Sequence, residues 1–211
     1  MKKNSTYEER GKKFAINTLT RIFEGCVDLE DFIDAIEYYN AYHSRPLKYA
    51  NGVSRIAIIR GDYVVKFNYR PTGSFSNGCA GDCESEQKVY ARALKDGMAH
   101  LLAKTTVFTV NGLTFSIMPR IKGVGRNWYW WNHCTMEEEE WLEDNLHDLH
   151  RYNVGYRKGK VCVIDYAWDA NRIENESDSS SYYTDFSSSL TTTSSDYSSE
   201  KFSPIGGLWE F

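Results

Sequence analysis

The sequence predicts an α+β fold, and three observations predict it. Apolar residues recur at helical spacing over residues 5–43, β-branched and aromatic runs joined by glycine-containing turns follow over residues 55–118, and one helical run interrupts them. The chain has 211 residues, 41% of them hydrophobic and 15% aromatic, which is enough to bury one core with or without a disordered tail.

In the helical part, Phe14, Ile16, Leu19, Ile22 and Phe23 form the first stripe and Gly25 offers a stop. Asp28 can then cap a second run carrying Leu29, Phe32, Ile33, Ile36 and Tyr39. Such stripes predict packing helices; a partner-binding face is the other reading, and core is the commoner outcome. Lys2, Lys3, Arg10, Lys12 and Lys13 read as a solvated helix face. A net charge of −4 argues against a nucleic-acid partner, which calls for a clustered basic excess. No apolar run approaches the roughly 18 residues that span a bilayer, and no signal-peptide core follows Met1, so a cytoplasmic protein with no membrane partner is expected. The odd set Cys26, Cys79, Cys83, Cys134 and Cys162 does not read as a disulfide framework. Zinc on Cys79, Cys83, His133 and Cys134 would need a spacing unlike recurrent ligand pairs, so reduced, buried thiols are expected.

Pro46 closes the helical region. Residues 55–60 and 63–67 read as strands joined by the two-residue turn Gly61-Asp62. Lys66 lies in the second strand, where a lysine is most often a solvated edge guard. After a loop bearing Gly73, Gly78 and Gly81, a helix is expected over residues 84–96, with Val89, Tyr90, Ala93 and Leu94 apolar and Gly97 closing it. Counting back three and four residues from Val89 and Tyr90 reaches Glu86, which therefore shares the apolar face. Buried acids are rare unless paired, and Lys66 facing the same core would pair it. A Glu86 that bends from the rim to solvent is the plainer alternative; Glu84, on a different face, is the weaker partner.

Residues 105–110 and 113–118 flank Asn111-Gly112, a strong hairpin signal that brings the count to at least four antiparallel strands. Pro119 must then leave the sheet, since proline cannot donate to a central ladder. Trp128, Tyr129, Trp130 and Trp131 could stack bases, but without basic neighbours burial against the next helix is favoured. That helix starts at a capping box, Thr135 with Glu138, and glutamates 137–140 suit the positive end of its dipole rather than a metal. Trp141, Leu142 and Leu146 carry its buried face toward Asp148.

The chemistry-bearing stretch is His147-Asp148-Leu149-His150-Arg151-Tyr152-Asn153, followed by Val163-Ile164-Asp165-Tyr166. Between them, residues 154–156 and 160–164 read as a hairpin turned by Lys158-Gly159. Phosphoryl transfer needs a group that orients and deprotonates the attacking hydroxyl, oxygen donors for Mg²⁺ and a cation on the phosphates. Asp148 fits the first need, Asn153 and Asp165 the second, and Lys66 braced by Glu86 the third. Residues 119–123, leaving the sheet with free backbone groups, could hold an adenine edge.

Over about residues 46–168 this set resembles the protein kinase-like phosphotransferases. Val64-Val65-Lys66-Phe67 is similar to the strand carrying the phosphate lysine, and Glu86 to the helix glutamate. Ile117-Met118-Pro119-Arg120-Ile121 resembles the hinge, with Met118 at the gatekeeper position; Asp148 to Asn153 resembles the catalytic loop, and Asp165-Tyr166-Ala167 stands where Asp-Phe-Gly is usual. Leu149-His150 after Asp148 is more like the atypical and aminoglycoside-phosphotransferase branches and the early kinases of short-tailed bacteriophages, and the compact phage enzymes are the nearest likeness. The resemblance implies a kinase-like fold with an antiparallel N-lobe sheet and one Lys–Glu helix. It also implies ATP and Mg²⁺ as cofactors, nucleotide contacts from Lys66, Gly52, Ser54, Met118, Arg120 and Ile121, and phosphorylation of Ser or Thr on host proteins in the bacterial cytoplasm.

The sequence departs from that pattern in three places. The phosphate-covering loop holds Gly52 alone, in Asn51-Gly52-Val53-Ser54; the histidine expected two residues before the catalytic aspartate is Leu146; and no Ala-Pro-Glu segment follows Asp165, so a strongly reduced C-lobe is expected. The expected division is an N-terminal helical extension (1–45), a kinase-like domain (46–173), a disordered Ser/Thr/Tyr-rich tail (174–202) and an apolar C-terminal segment (203–211). The tail reads either as a solubiliser or as phosphoacceptors held near the site at high effective concentration. Three functions follow: a Ser/Thr protein kinase, a small-molecule phosphotransferase, or a pseudokinase acting as a binding or inhibitory module.

Overall fold

The computed structural model describes residues 5–52, 54–69, 83–123, 129–146, 149 and 152–166. Expectations on Lys2, Lys3, Val53, the loop with Gly73, Gly78, Cys79 and Gly81, Trp128, His147, Asp148, His150, Arg151, Ala167, the tail and the apolar C-terminal segment lie outside the described residues.

Thr6 caps α1 (Tyr7–Phe14) in a capping box with Glu9. The helix runs on through a π-helical turn, Ala15–Leu19, into α2 (Thr20–Ile22). That wide turn alters the expected stripe: Phe14, Leu19 and Phe23 are buried while Ile16 is exposed, because an i→i+5 turn rotates the buried face by an extra residue. Asp28 caps α3 (Leu29–Tyr42) by accepting from the Asp31 N–H.

Five antiparallel strands follow, β1 (Lys48–Asn51), β2 (Arg55–Arg60), β3 (Tyr63–Asn68), β4 (Thr106–Val110) and β5 (Leu113–Pro119), in the order β1-β2-β3-β5-β4. Asn111 and Gly112 both have positive φ, 51° and 77°, as a two-residue type I′ hairpin requires. β1 was not expected, since it contains no β-branched residue; pairing with β2, from Lys48↔Ile59 to Asn51↔Ile56, recruits it. Pro119 closes β5 opposite Tyr63, so the chain leaves this sheet at Arg120. Between β3 and β4 lies α4 (Cys83–Lys95), with Glu86, Val89 and Ala93 buried. Leu94, expected on that face, is instead exposed.

Strand pleating sends alternate residues to opposite faces of the sheet. Ile56, Ile58, Val65, Phe67, Phe115 and Ile117 pack against Phe14, Leu19, Phe23, Phe32 and Ile36 of the helical layer. Phe67 lies with its ring centroid 4.4 Å from that of Phe23 and 5.2 Å from that of Phe32. Each such pair adds about 1 kcal/mol beyond the area it buries, so the N-terminal helices are packing helices fixed to the central strand.

The opposite face carries Ala57, Ile59, Val64, Lys66, Ser116 and Met118. It meets α4 and a second antiparallel sheet of β6 (Lys122–Gly123), β7 (Val154–Arg157) and β8 (Lys160–Val163), in that order. β6 and β7 approach so closely that a Cβ on Gly155 would sit 2.5 Å from the Lys122 carbonyl oxygen. The hairpin is tied to the α4–β4 connection, since the Ala103 N–H donates to Val163 O (2.8 Å) and the Tyr166 hydroxyl to Ala103 O (2.6 Å). A second core lies here: Leu142 and Leu146 of α5 (Met136–Asn145) and its C-terminal flank pack with Val89, Trp130, Val154 and Val163. The aromatic run therefore splits, Trp130 turning inward and Tyr129 outward. Among the described residues no helix is long and apolar enough to cross a membrane.

Candidate functional site

Lys66 stands on the central strand of the sheet, not at an edge, and its cross-strand partners are Ala57 and Ser116. Its side chain therefore enters the interior and is 4% exposed. A buried ammonium needs partners. Lys66 Nζ donates to Glu86 Oε1 at 2.5 Å and to the Ile164 carbonyl at 2.8 Å, and lies 3.6 Å from Asp165 Oδ1. Glu86, fully shielded on α4, also accepts from the Ser116 hydroxyl at 3.3 Å. The rim alternative for Glu86 is thereby excluded. Glu84 instead accepts from the Asn68 side-chain amide at 3.1 Å, away from Lys66.

Arg55, the first residue of β2, completes the cluster and was not singled out by sequence. Nη1 lies 2.9 Å from Glu86 Oε1, and Nη2 donates to Asp165 Oδ1. A signal for it existed: in Arg-Ile-Ala-Ile-Ile-Arg, pleating puts Arg55 on the face of Ala57, the residue opposite Lys66, while Arg60 goes to the other face and covers the Phe14 ring at 4.4 Å. Burial alone would discourage the charge on Arg55, but Glu86 and Asp165 hold the guanidinium firmly protonated. Burial would likewise raise the Asp165 carboxyl, yet Lys66 and Arg55 beside it hold it down at about 2. The four charges balance, two cations against two carboxylates, on one face of the sheet.

The Ile164 N–H donates to the Asn153 carbonyl at 2.8 Å, which sets Asn153 beside the segment carrying Asp165. A carboxylate and an amide are hard oxygen donors of the kind Mg²⁺ takes, and the Asp165 carboxylate is half-exposed. Met118 and Ile121 join an apolar cluster with Ala57, Val64, Cys162 and Ile164 next to the charged group. Arg120 does not share the free backbone expected of it: its N–H is spent on Asp62 O at 2.8 Å, and its guanidinium reaches toward the Gly61 carbonyl. Gly52 and Ser54 sit in a tight β1–β2 turn, where the Gly52 N–H donates to Arg55 O and the Tyr69 hydroxyl to Gly52 O. Asp148 lies outside the described residues, but the chain on either side is anchored, Leu146 and Leu149 in the second core and Asn153 at the hairpin.

Cys83 is buried beside Arg55 and Glu86, and burial pushes its thiol up to about 12; burial does the same to Cys162. Among the described residues no three of His, Cys, Asp and Glu are grouped to hold a metal.

No protein-family model matches the sequence, and no curated protein matches it. Among solved structures the chain is similar to the bifunctional kinase-methyltransferase WbdD, at 17% identity and a TM-score of 0.37, over 59% of this chain and 34% of that one. It is similar also to a 2.2 Å structure of WbdD, at 18% identity and a TM-score of 0.38, over 59% and 33% of the two chains. A third structure, of WbdD with a kinase inhibitor, aligns at 17% identity and a TM-score of 0.34, over 59% and 33%. The chain spans about a third of the length of these proteins.

Proposed function

We propose that the chain is an ATP-dependent phosphotransferase of the protein-kinase type that acts on Ser or Thr of proteins. The observation that carries this reading is the buried Lys66–Glu86 pair with Asp165 at 3.6 Å, on the inner face of a sheet ordered β1-β2-β3-β5-β4. A structural ion pair has no need of a half-exposed aspartate beside it; a site for a polyphosphate does.

In this reading Lys66, oriented by Glu86, contacts the phosphates, and the cluster of Met118, Ile121 and Ile164 receives the base. Asp165 and Asn153 hold Mg²⁺, which when bound neutralises phosphate charge. Asp148 accepts the proton of the attacking hydroxyl. The Ser/Thr-rich stretch 174–202 supplies acceptors tethered to the same chain, and host proteins are the acceptors in trans if the gene is a phage's.

The test is the intact mass of the full chain after incubation with ATP and Mg²⁺, followed by mapping of modified residues. Phosphates are expected on Ser and Thr of the wild type and absent from Asp148→Asn and Lys66→Ala. A wild type that binds ATP and gains no mass, alone or on added protein, would turn the reading to a binding module.

A further inference from the structure

We infer that Arg55 is a phosphate-clamping residue of this nucleotide site, one arm of its guanidinium held by Glu86 and the other passing from Asp165 to a phosphate oxygen when a nucleotide binds. The inference rests on the reading of the site as a nucleotide site and goes beyond it by assigning a residue outside the motif set.

Three observations support it. First, Glu86 does not need Arg55 for neutralisation, because Lys66 at 2.5 Å and the Ser116 hydroxyl at 3.3 Å already engage its two oxygens. Asp165 is half-exposed and open to water. Arg55 is thus a second buried cation on a carboxylate that Lys66 already engages. Second, in the β1–β2 turn the Gly52 N–H is spent on Arg55 O rather than offered to a phosphate. A loop that lacks the usual glycines needs side-chain donors in their place, and Arg55 is the residue at which that turn becomes β2. Third, the two arms have different attachments. Nη1 is bound to the fully shielded Glu86 and Nη2 to the half-exposed Asp165, so one arm is an anchor and the other faces the open side. A planar guanidinium fork matches a phosphate as well as it matches a carboxylate.

The test compares ATP with adenosine by calorimetric titration of the full chain in Mg²⁺-containing buffer, for the wild type, Arg55→Met and Arg55→Lys. The expected result is that Arg55→Met weakens ATP binding by about tenfold to hundredfold, the worth of one or two charge-assisted hydrogen bonds, and leaves adenosine binding within about twofold. Arg55→Lys falls between, since it keeps the charge and loses the fork, and it carries the same comparison if Arg55→Met does not fold. Unchanged or tighter ATP binding in the variants would overturn the inference and make Arg55 a plug that competes with nucleotide. Equal losses for ATP and adenosine would overturn it in favour of a purely structural role. A wild type that binds neither ligand defeats the nucleotide-site reading itself, a result distinct from both.

Discussion

Lys66 and Glu86, twenty residues apart in sequence, meet at 2.5 Å in the interior, and Glu86 is the node of the site because Lys66, Arg55 and Ser116 all converge on it. Glu86→Ala would leave two buried cations with Asp165 alone between them. Removing one partner from a buried ionic group costs about 3–5 kcal/mol, and that loss is expected in urea unfolding. Lys66→Met should cost less, since Glu86 keeps Arg55 and Ser116. Equal destabilisation by the two substitutions would show that the cluster is not centred on Glu86.

Asp165 gives a pH signature. Burial opposes its charge, but Lys66 and Arg55 hold the folded-state carboxyl at about 2, against an ordinary value of 3.8. Its contribution to stability is therefore complete above the ordinary value and is lost as pH falls through about 2. Unfolding free energies of the wild type and Asp165→Asn should differ by a constant amount from neutral pH down to about pH 5, then converge toward about pH 2. A gap that instead opens as the pH falls would mean that the carboxyl is held up rather than down.

Much of this site was legible in the sequence because it depends on period and turn chemistry. The two-residue period that placed Val65 and Phe67 on one face forces Lys66 to the other, and the helical period that buried Val89 carries Glu86 with it. Asn111-Gly112 and Lys158-Gly159 fixed two hairpins by backbone sterics alone. What escaped depends on tertiary pairing. β1 exists because β2 offers it an edge, and Ile16 turns outward because a π-helical turn interrupts α-helical spacing. Arg55 read as a strand end, since nothing local reveals that Asp165, 110 residues later, lies across from it.

Helix α5, which precedes Asp148 in the sequence, starts at a cap that can be removed cleanly. Thr135 Oγ1 accepts from the Glu138 N–H at 3.2 Å and Glu138 returns a carboxylate oxygen to the Thr135 N–H at 2.8 Å; Thr6 and Glu9 do the same for α1. Thr135→Ala and Thr6→Ala should each cost about 1 kcal/mol in thermal or urea unfolding. The double variant should lose the sum within about 0.5 kcal/mol, because the caps share no partner. A marked excess would mean that the two helices are energetically coupled through the sheet between them.

Gly11 sets how closely α1 can approach the sheet. A glycine inside a helix ordinarily gains about 1 kcal/mol on replacement by alanine. Here an added Cβ would lie 2.7 Å from Ile117 Cγ2 and 3.2 Å from Cδ1, on a β-branched side chain of β5 with little freedom to turn away. Overpacking of this kind costs about 1–3 kcal/mol, so Gly11→Ala is expected to destabilise despite its propensity gain. Ile117→Ala removes the obstructing atoms at its own cost of about 2–5 kcal/mol. In that background the added methyl should become neutral or stabilising, giving a coupling of about 1–3 kcal/mol in a double-mutant cycle followed by urea unfolding. If Gly11→Ala stabilises the wild-type chain, α1 does not lie against Ile117, and the helical layer packs on the sheet in another way.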